Sequence, residues 1–202
     1  MPTVSRRTTP FRPVVNSPKG LSAAILDAAL ELFAERGFYG TAMPLVAEKA
    51  GVGAGTLYRH FASKVALANA LFQKWKLALG LSLSQVPTDL PVRQRFHHLW
   101  LNFVQFSRIH PRAFAFLELH HHASYLDDAS RLVEDSVLMP VVAVVHKAQQ
   151  EMAIKDVDPA VLIALIYGAI VGLVRGEERG AGTLSERSLA DAEECMWQAI
   201  RR

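Results

Sequence analysis

The densest run of hydrogen-bonding side chains beside small residues is Gly53-Ala-Gly-Thr-Leu-Tyr-Arg-His60, followed at once by Phe61 and Ser63-Lys64. Thr56, Tyr58 and His60 carry groups that donate to phosphate oxygens. Arg59 presents a planar fork suited to guanine or to phosphate. Gly53, Ala54 and Gly55 are small enough to let backbone come close to a large polyanion. A second concentration is histidine: His97-His98, and His120-His121-His122 with Glu118 one helical turn before His122. Zinc needs three or four converging ligands, and only two converge from that segment. The chain has one cysteine, Cys195, which excludes an intramolecular disulfide framework and any multi-cysteine metal site. A reducing, intracellular setting fits that usage, and Cys195 itself is expected to be a small buried apolar residue. The sequence carries no nucleophile motif, no glycine-rich phosphate loop and no paired-carboxylate pattern. Binding is expected rather than catalysis, with no metal and no cofactor.

These residues need elements to hold them. Residues 1–16 contain three Pro and three Arg with no acid, and read as a disordered basic arm. A helix is expected from Ser17-Pro18, with Ser17 as cap and Pro18 in the first turn. Leu21, Ile25, Ala28, Ala29, Leu32 and Phe33 recur along it at helical spacing, and Gly37 ends it. A short helix follows at Met43–Ala50, capped by Thr41, with Pro44 tolerated in its first turn. Gly51-Val52-Gly53 breaks the pattern. A third helix, Ala54–Phe61, turns Leu57 and Phe61 inward. Two short helices joined by a glycine-containing turn are the helix-turn-helix pattern, whose second helix enters the major groove.

Beyond Ser63 the chain reads as long helices: Ser63 to about Leu83, Val92–His110, Pro111–His122, a helix capped by Asp127 or Ser124 and bent at Pro140, then Pro159–Gly176 and Ser185–Arg202. No useful strand pattern occurs. The fold class is all-α, with about nine helices.

Charge supports a polyanion partner. The chain is 50% hydrophobic and 20% charged, with a net charge of +3, which excludes a disordered polyelectrolyte. Residues 1–64 carry eight Lys/Arg against four Asp/Glu, and the rest is close to neutral. The longest apolar run, Ala160–Val174, falls short of the roughly 20 residues of a membrane helix. A soluble, cytoplasmic protein with no membrane partner is expected.

The stretch Ile25–Gly40, then Val46-Ala-Glu-Lys-Ala-Gly-Val-Gly-Ala-Gly-Thr-Leu-Tyr-Arg-His-Phe61, then Ser63-Lys64, closely resembles the DNA-binding domain of TetR-family transcriptional regulators. The resemblance implies a three-helix reading head at 17–63, a helical ligand-binding and dimerisation domain at 64–202, and a homodimer. It implies a repressor that leaves a pseudo-palindromic double-stranded DNA operator when a small ligand binds. Residue by residue, it puts Tyr58, His60 and Lys64 on phosphates, and Ala54, Gly55, Thr56 and Arg59 at the groove. Thr41 holds the first of two hydroxyl positions before the second helix. Ala42 lacks the second, so one phosphate donor is missing. Pro44 stands where some relatives carry a base-reading basic residue, Gly53 replaces the usual Ser cap, and Val65 replaces a common acid. Base reading is therefore expected to rest chiefly on Arg59 and the N-terminal arm.

Aromatic residues crowd Phe96–Phe116. Core packing accounts for many such residues, and the wall of an apolar cavity between helices for others. With the resemblance, the effector pocket is expected to be lined by Trp100, Phe103, Phe106, Phe114, Leu117, His121, Tyr125 and Tyr167, and the effector to be small and largely apolar. Pro159–Gly176 is apolar nearly all round and must be buried on more than one side. Its Ala164, Gly168, Gly172 and Gly176 recur every four residues, which suits close helix approach inside one chain or between two. The resemblance assigns this helix and Ser185–Arg202 to a dimer interface, with Ala164, Gly168, Gly172 and Trp197 in it. Two other readings stay open here. One is a helical DNA-binding protein without an effector, which a closed, dry core would favour. The other is a small metal-dependent enzyme, which three converging ligands would favour.

Overall fold

Gly37 decides the shape of the first helix. In the computed structural model, which describes residues 18–119, 124–178 and 184–202, α1 (Pro18–Gly40) runs helical to Arg36 and then breaks at Gly37, with φ 71° and ψ 173°. Only glycine adopts that backbone without strain. The stripe from the sequence, Ile25, Ala29, Leu32 and Phe33, is buried. The basic arm 1–16, Ser17 and His120 to His122 lie outside the described residues.

Helix α2 (Met43–Ala50) has Pro44 in its first turn, as expected. Its cap is Ala42, whose side chain accepts nothing. Gly51, at φ 67°, ends it in a Schellman turn: the Val52 amide donates to the Ala47 carbonyl and the Gly51 amide to Glu48. Helix α3 (Ala54–His60) follows, seated by the buried Leu57 and Phe61.

Several of the later helix boundaries follow from caps and prolines read in the sequence. Helix α4 (Lys64–Ser84) starts where Ser63 Oγ accepts the Ala66 amide at 3.1 Å. Helix α5 (Val92–Ile109) stops before Pro111, and α6 (Pro111–Leu119) is short. Helix α7 (Asp128–Gln150) is capped by Asp127, whose Oδ1 accepts the Ser130 amide at 2.8 Å. Helices α8 (Pro159–Glu178) and α9 (Glu186–Ile200) complete the set, the latter capped by Ser185. No strand occurs among the described residues; one isolated bridge pairs Ile154 with Arg201 near the C-terminus.

Helix α4 is the spine, packing along α7, α5, α1 and α6. At Gly80 a Cβ would lie 2.7 Å from Val137 Cγ2, so only glycine lets α4 and α7 come this close. A buried polar knot fastens the same pair. Asn69 donates to the Val65 and Tyr125 carbonyls at 2.9 and 2.8 Å. Its Oδ1 accepts the Asp127 amide at 2.9 Å and Ser130 Oγ at 2.7 Å. All four bonds disappear in Asn69→Ala, and buried groups are left unpaired at about 1–3 kcal/mol each. Urea unfolding of that variant should show a loss of about 3 kcal/mol or more, and a loss below about 1 kcal/mol would contradict the knot's role.

Within one chain helix α8 is buried on one side, and the expectation for Cys195 in α9 is corrected. Leu162, Ile170 and Val171 face the core, while Val161, Ala164, Leu165, Gly168 and Gly172 reach solvent. Among the described residues, Pro159–Glu177 is also the one helix long and apolar enough to cross a membrane by length and composition. Cys195 is exposed rather than buried.

Candidate functional site

The exposed face of α3 is nearly bare. Ala54 and Gly55 are exposed, and a Cβ built at Gly53 or Gly55 would meet nothing within 4 Å. Glycine here is not needed to avoid the protein's own atoms; it leaves room for an approaching surface. Tyr58 is 50% exposed. Arg59 is exposed, and its Nη2 donates to Thr56 Oγ1 at 2.9 Å, so the guanidinium is held along the helix with its remaining donors outward. His60 is half-buried beside Phe61. The groups expected at a groove thus share one accessible face.

Thr41 does not join them, which is a correction, and Lys64 is partly engaged by the protein's own carbonyls. Thr41 is 1% exposed. Its Oγ1 faces the Leu32 and Gly37 carbonyls at 3.1 and 2.9 Å, beside the break in α1. Its hydroxyl is neither a cap for α2 nor free for phosphate. Lys64 Nζ donates to the Phe38 and Thr41 carbonyls at 2.9 and 3.0 Å and lies 4.4 Å from the Phe38 ring centroid. Two of its three donors are occupied, and the ammonium locks the α1–α2 corner to the start of α4.

The second half forms a partly open cavity of about 330 Å3 between α4, α5, α7, α8 and α9. Trp100, Phe103 and Tyr167 line it, as expected. Phe106, Phe114, Leu117 and Tyr125 do not, a further correction. Phe106 packs on His110. Phe114 meets Phe103 edge-on from behind the wall, at 6.0 Å. Leu117 is buried in the core. Tyr125 stacks on Phe38 at 4.1 Å, and burial pushes its phenol up to about 12. His121 lies outside the described residues.

Sequence reading missed the α7 side of the cavity: Val137, Val141, Val144, Val145 and Ala148. Their helical period was legible, but nothing in it says which buried stripe faces a void. Trp197 also lines the cavity, 5.5 Å from the Phe96 ring of α5. Glu193 is buried, within hydrogen-bond distance of Arg93 and of His97 Nδ1 at 2.8 Å, which gives His97 a structural partner. Among the described residues, no group of three or more His, Cys, Asp or Glu is placed to hold a metal.

Helix α6 touches both halves. Phe116 stacks on Phe33 of α1 with ring centroids 6.0 Å apart, while Phe114 backs the cavity wall. Arg112 reaches Glu31 of α1 at 3.7 Å. The Lys49 hydrogen bond, with the charges of Arg112 and Lys49, holds the Glu31 carboxyl below its ordinary pKa.

A three-helix head with an exposed second helix of the helix-turn-helix, carried on a helical body, defines a DNA-binding transcriptional regulator. Residues 25–71 match the family model of bacterial regulatory proteins of the tetR family, and residues 76–202 match the tetracyclin repressor-like C-terminal domain. The chain belongs to the TetR family, whose members are transcriptional regulators and not enzymes. It is 33% identical over 124 residues to the HTH-type transcriptional repressor KstR2 of Mycobacterium tuberculosis, an alignment covering 58% of this chain and 54% of that protein. It is 22% identical over 169 residues to the HTH-type transcriptional regulator YhgD of Bacillus subtilis, covering 82% of this chain and 88% of that one. In fold it is similar to a TetR family transcription regulator from Marinobacter aquaeolei, with a TM-score of 0.78, 22% identity, and coverage of 90% and 95% of the two chains. A TetR-family transcriptional regulator from Haemophilus influenzae gives 0.76 at 21% identity, covering 93% and 100%.

Proposed function

We propose that this protein is a homodimeric, cytoplasmic repressor that leaves its operator when a small, largely apolar ligand enters the cavity between α4, α5, α7, α8 and α9. The apolar cavity of about 330 Å3 carries the reading. It lies within the range of about 300–1,000 Å3 typical of small-molecule sites. Residues 17–63 form the reading head, and 64–202 bind ligand and dimerise. Helix α6 is the coupling element, because the same short helix backs the cavity through Phe114 and stacks on α1 through Phe116. The ligand favours a spacing of the two heads that no longer fits the half-sites, which requires tighter binding to that state.

The test is operator selection from random DNA followed by release with candidate ligands. Half-sites should lie about 34–36 Å apart or somewhat more. Phe103→Ala should reduce ligand release while leaving operator affinity nearly unchanged. If that variant instead loses about 3–5 kcal/mol of stability and operator binding together, Phe103 is plain core.

At the operator, Tyr58→Phe should weaken binding to all sequences alike while leaving the salt slope nearly unchanged, since a neutral phenol that contacts phosphate releases no counterion. Arg59→Ala should also relax base preference, by about 1–3 kcal/mol of discrimination where it reads a base. Filter binding at several salt concentrations on specific and scrambled duplexes checks both. A salt-independent affinity would contradict the operator reading.

A further inference from the structure

The lining of the cavity runs lengthwise along its helices. Residues of α4 and α7 meet in step, Gln73 with Ser130 at 3.0 Å and Lys76 with Glu134 at 3.4 Å, so these two helices run in the same direction. Trp75 meets His110, and Ser82 meets Asn102, so α5 runs the opposite way. Helix α8 follows α5, with Tyr167 against Phe103 and Glu177 against Arg108. On α5 the lining extends from Val92 to Phe103, and on α7 from Glu134 to Ala148. At about 1.5 Å per residue these stripes are about 16 and 21 Å long. A volume of about 330 Å3 drawn out over about 16 Å leaves a bore about 5 Å across. That is little more than the roughly 3.5–4.0 Å at which two carbons touch. The two ends of the channel differ. Ala148, Ile154, Leu162 and Ile200 close one end, each at most 5% exposed. Asp135, Leu138 and Tyr167, the exposed residues of the lining, lie toward the other end, which is the mouth.

Resting on the ligand-cavity reading above, we infer that the effector carries one unbranched aliphatic chain of about 11 carbons, laid along the helices with its tail against Ala148 and Ile200 and its polar head at the mouth beside Leu138 and Tyr167. The length follows from the volume. A methylene takes up about as much room as a water molecule, about 30 Å3, so about 330 Å3 holds about 11 of them. The shape follows from the bore. A straight chain passes it and buries every methylene between facing stripes of apolar side chains. A fused or bulky ring of equal volume is wider than the bore and would have to push packed helices apart. The placement of the head follows from the ends. A polar group at the mouth keeps its contact with water, and at the closed end it would lose that contact against an aliphatic wall.

Straight-chain primary alcohols from 1-hexanol to 1-tetradecanol test this, with cyclododecanol as the compact counterpart of 1-dodecanol. Dissociation constants are measured by calorimetry on the full chain, below the solubility limit of each alcohol. Affinity should rise about fourfold with each added methylene, as burial of one such group implies, and level off near 1-undecanol or 1-dodecanol. Cyclododecanol should bind about a hundredfold or more weakly than 1-dodecanol. Two variants at the closed end move the limit in opposite directions. Ala148→Leu fills the tail position and should bring the levelling about three carbons earlier, with 1-hexanol binding nearly kept. Leu162→Ala opens space there and should bring it about three carbons later. Thermal unfolding shows whether each variant is folded, and the two measurements on the unmodified protein decide the matter if neither is. Affinity still climbing at 1-tetradecanol, cyclododecanol within about tenfold of 1-dodecanol, or a limit that stays put in a folded variant overturns the inference and leaves the cavity reading in place. No binding by any of these alcohols overturns both.

Discussion

Gly168→Leu combined with Gly172→Leu should run as a single chain in light scattering and lose about a hundredfold or more in operator affinity. Both glycines sit on the exposed face of α8, and a Cβ at either meets nothing within 4 Å in the chain's own fold. Leucine there has room in one chain. It costs nothing in the core, so thermal unfolding of the isolated subunit should hardly change. Between two copies of α8 the same leucines are overpacked, at about 1–3 kcal/mol per site, and symmetry repeats each site in the partner. Each 1.4 kcal/mol is tenfold in the association constant. Half-sites are bound jointly, so operator affinity falls with dimerisation. Val161 and Leu165, 48% and 54% exposed, belong to the same face and would be covered with it. A double variant that still sediments as a dimer, or an unmodified chain that is monomeric, would remove the interface from α8.

Glu118→Gln should stabilise the protein at pH 8 by about 2 kcal/mol or more and do little at pH 4.5. Glu118 Oε1 is buried and has no hydrogen-bond partner among the described residues. Burial, helped by the charge of Glu134 and opposed by Lys76 and Arg175, pushes its carboxyl up to about 7 from 4.5. Below pH 4.5 the folded and unfolded chains both hold the proton, and the shift contributes nothing. Between 4.5 and about 7 the unfolded chain releases its proton first, so stability falls as pH rises. Above about 7 the full penalty stands, on the order of 3 kcal/mol at 1.36 kcal/mol per unit. Glutamine carries no charge and escapes that penalty. Denaturation midpoints of the two proteins from pH 4.5 to 8.5 should diverge across that window. Parallel curves would mean the carboxylate is solvated or paired. Since α6 is the proposed link between cavity and reading head, operator release should be measured on the same variant.

Much of the molecule was legible before any coordinates. Helix boundaries followed from local chemistry acting over three or four residues: Ser63 and Asp127 as caps, Gly37 as a left-handed stop, Gly51-Val52-Gly53 as a break, Pro111 as a barrier. The α3 face followed too, because Leu57 and Phe61 at i, i+4 oblige Ala54, Gly55, Tyr58 and Arg59 to point away. The same local rules erred at Thr41. A Thr before a helix is a good cap in isolation, but the Leu32 and Gly37 carbonyls compete for its hydroxyl. Which aromatics border a void was decided by the tertiary structure alone. Periodicity shows that Trp100, Phe106 and Phe114 are buried, yet burial against a side chain and burial against a cavity leave the same trace in sequence. Only the relative placement of five helices, set by contacts such as Gly80 against Val137, opens the space that Trp100 faces and Phe106 does not. The two charge pairs at its wall join residues more than 55 positions apart, a distance no local pattern spans.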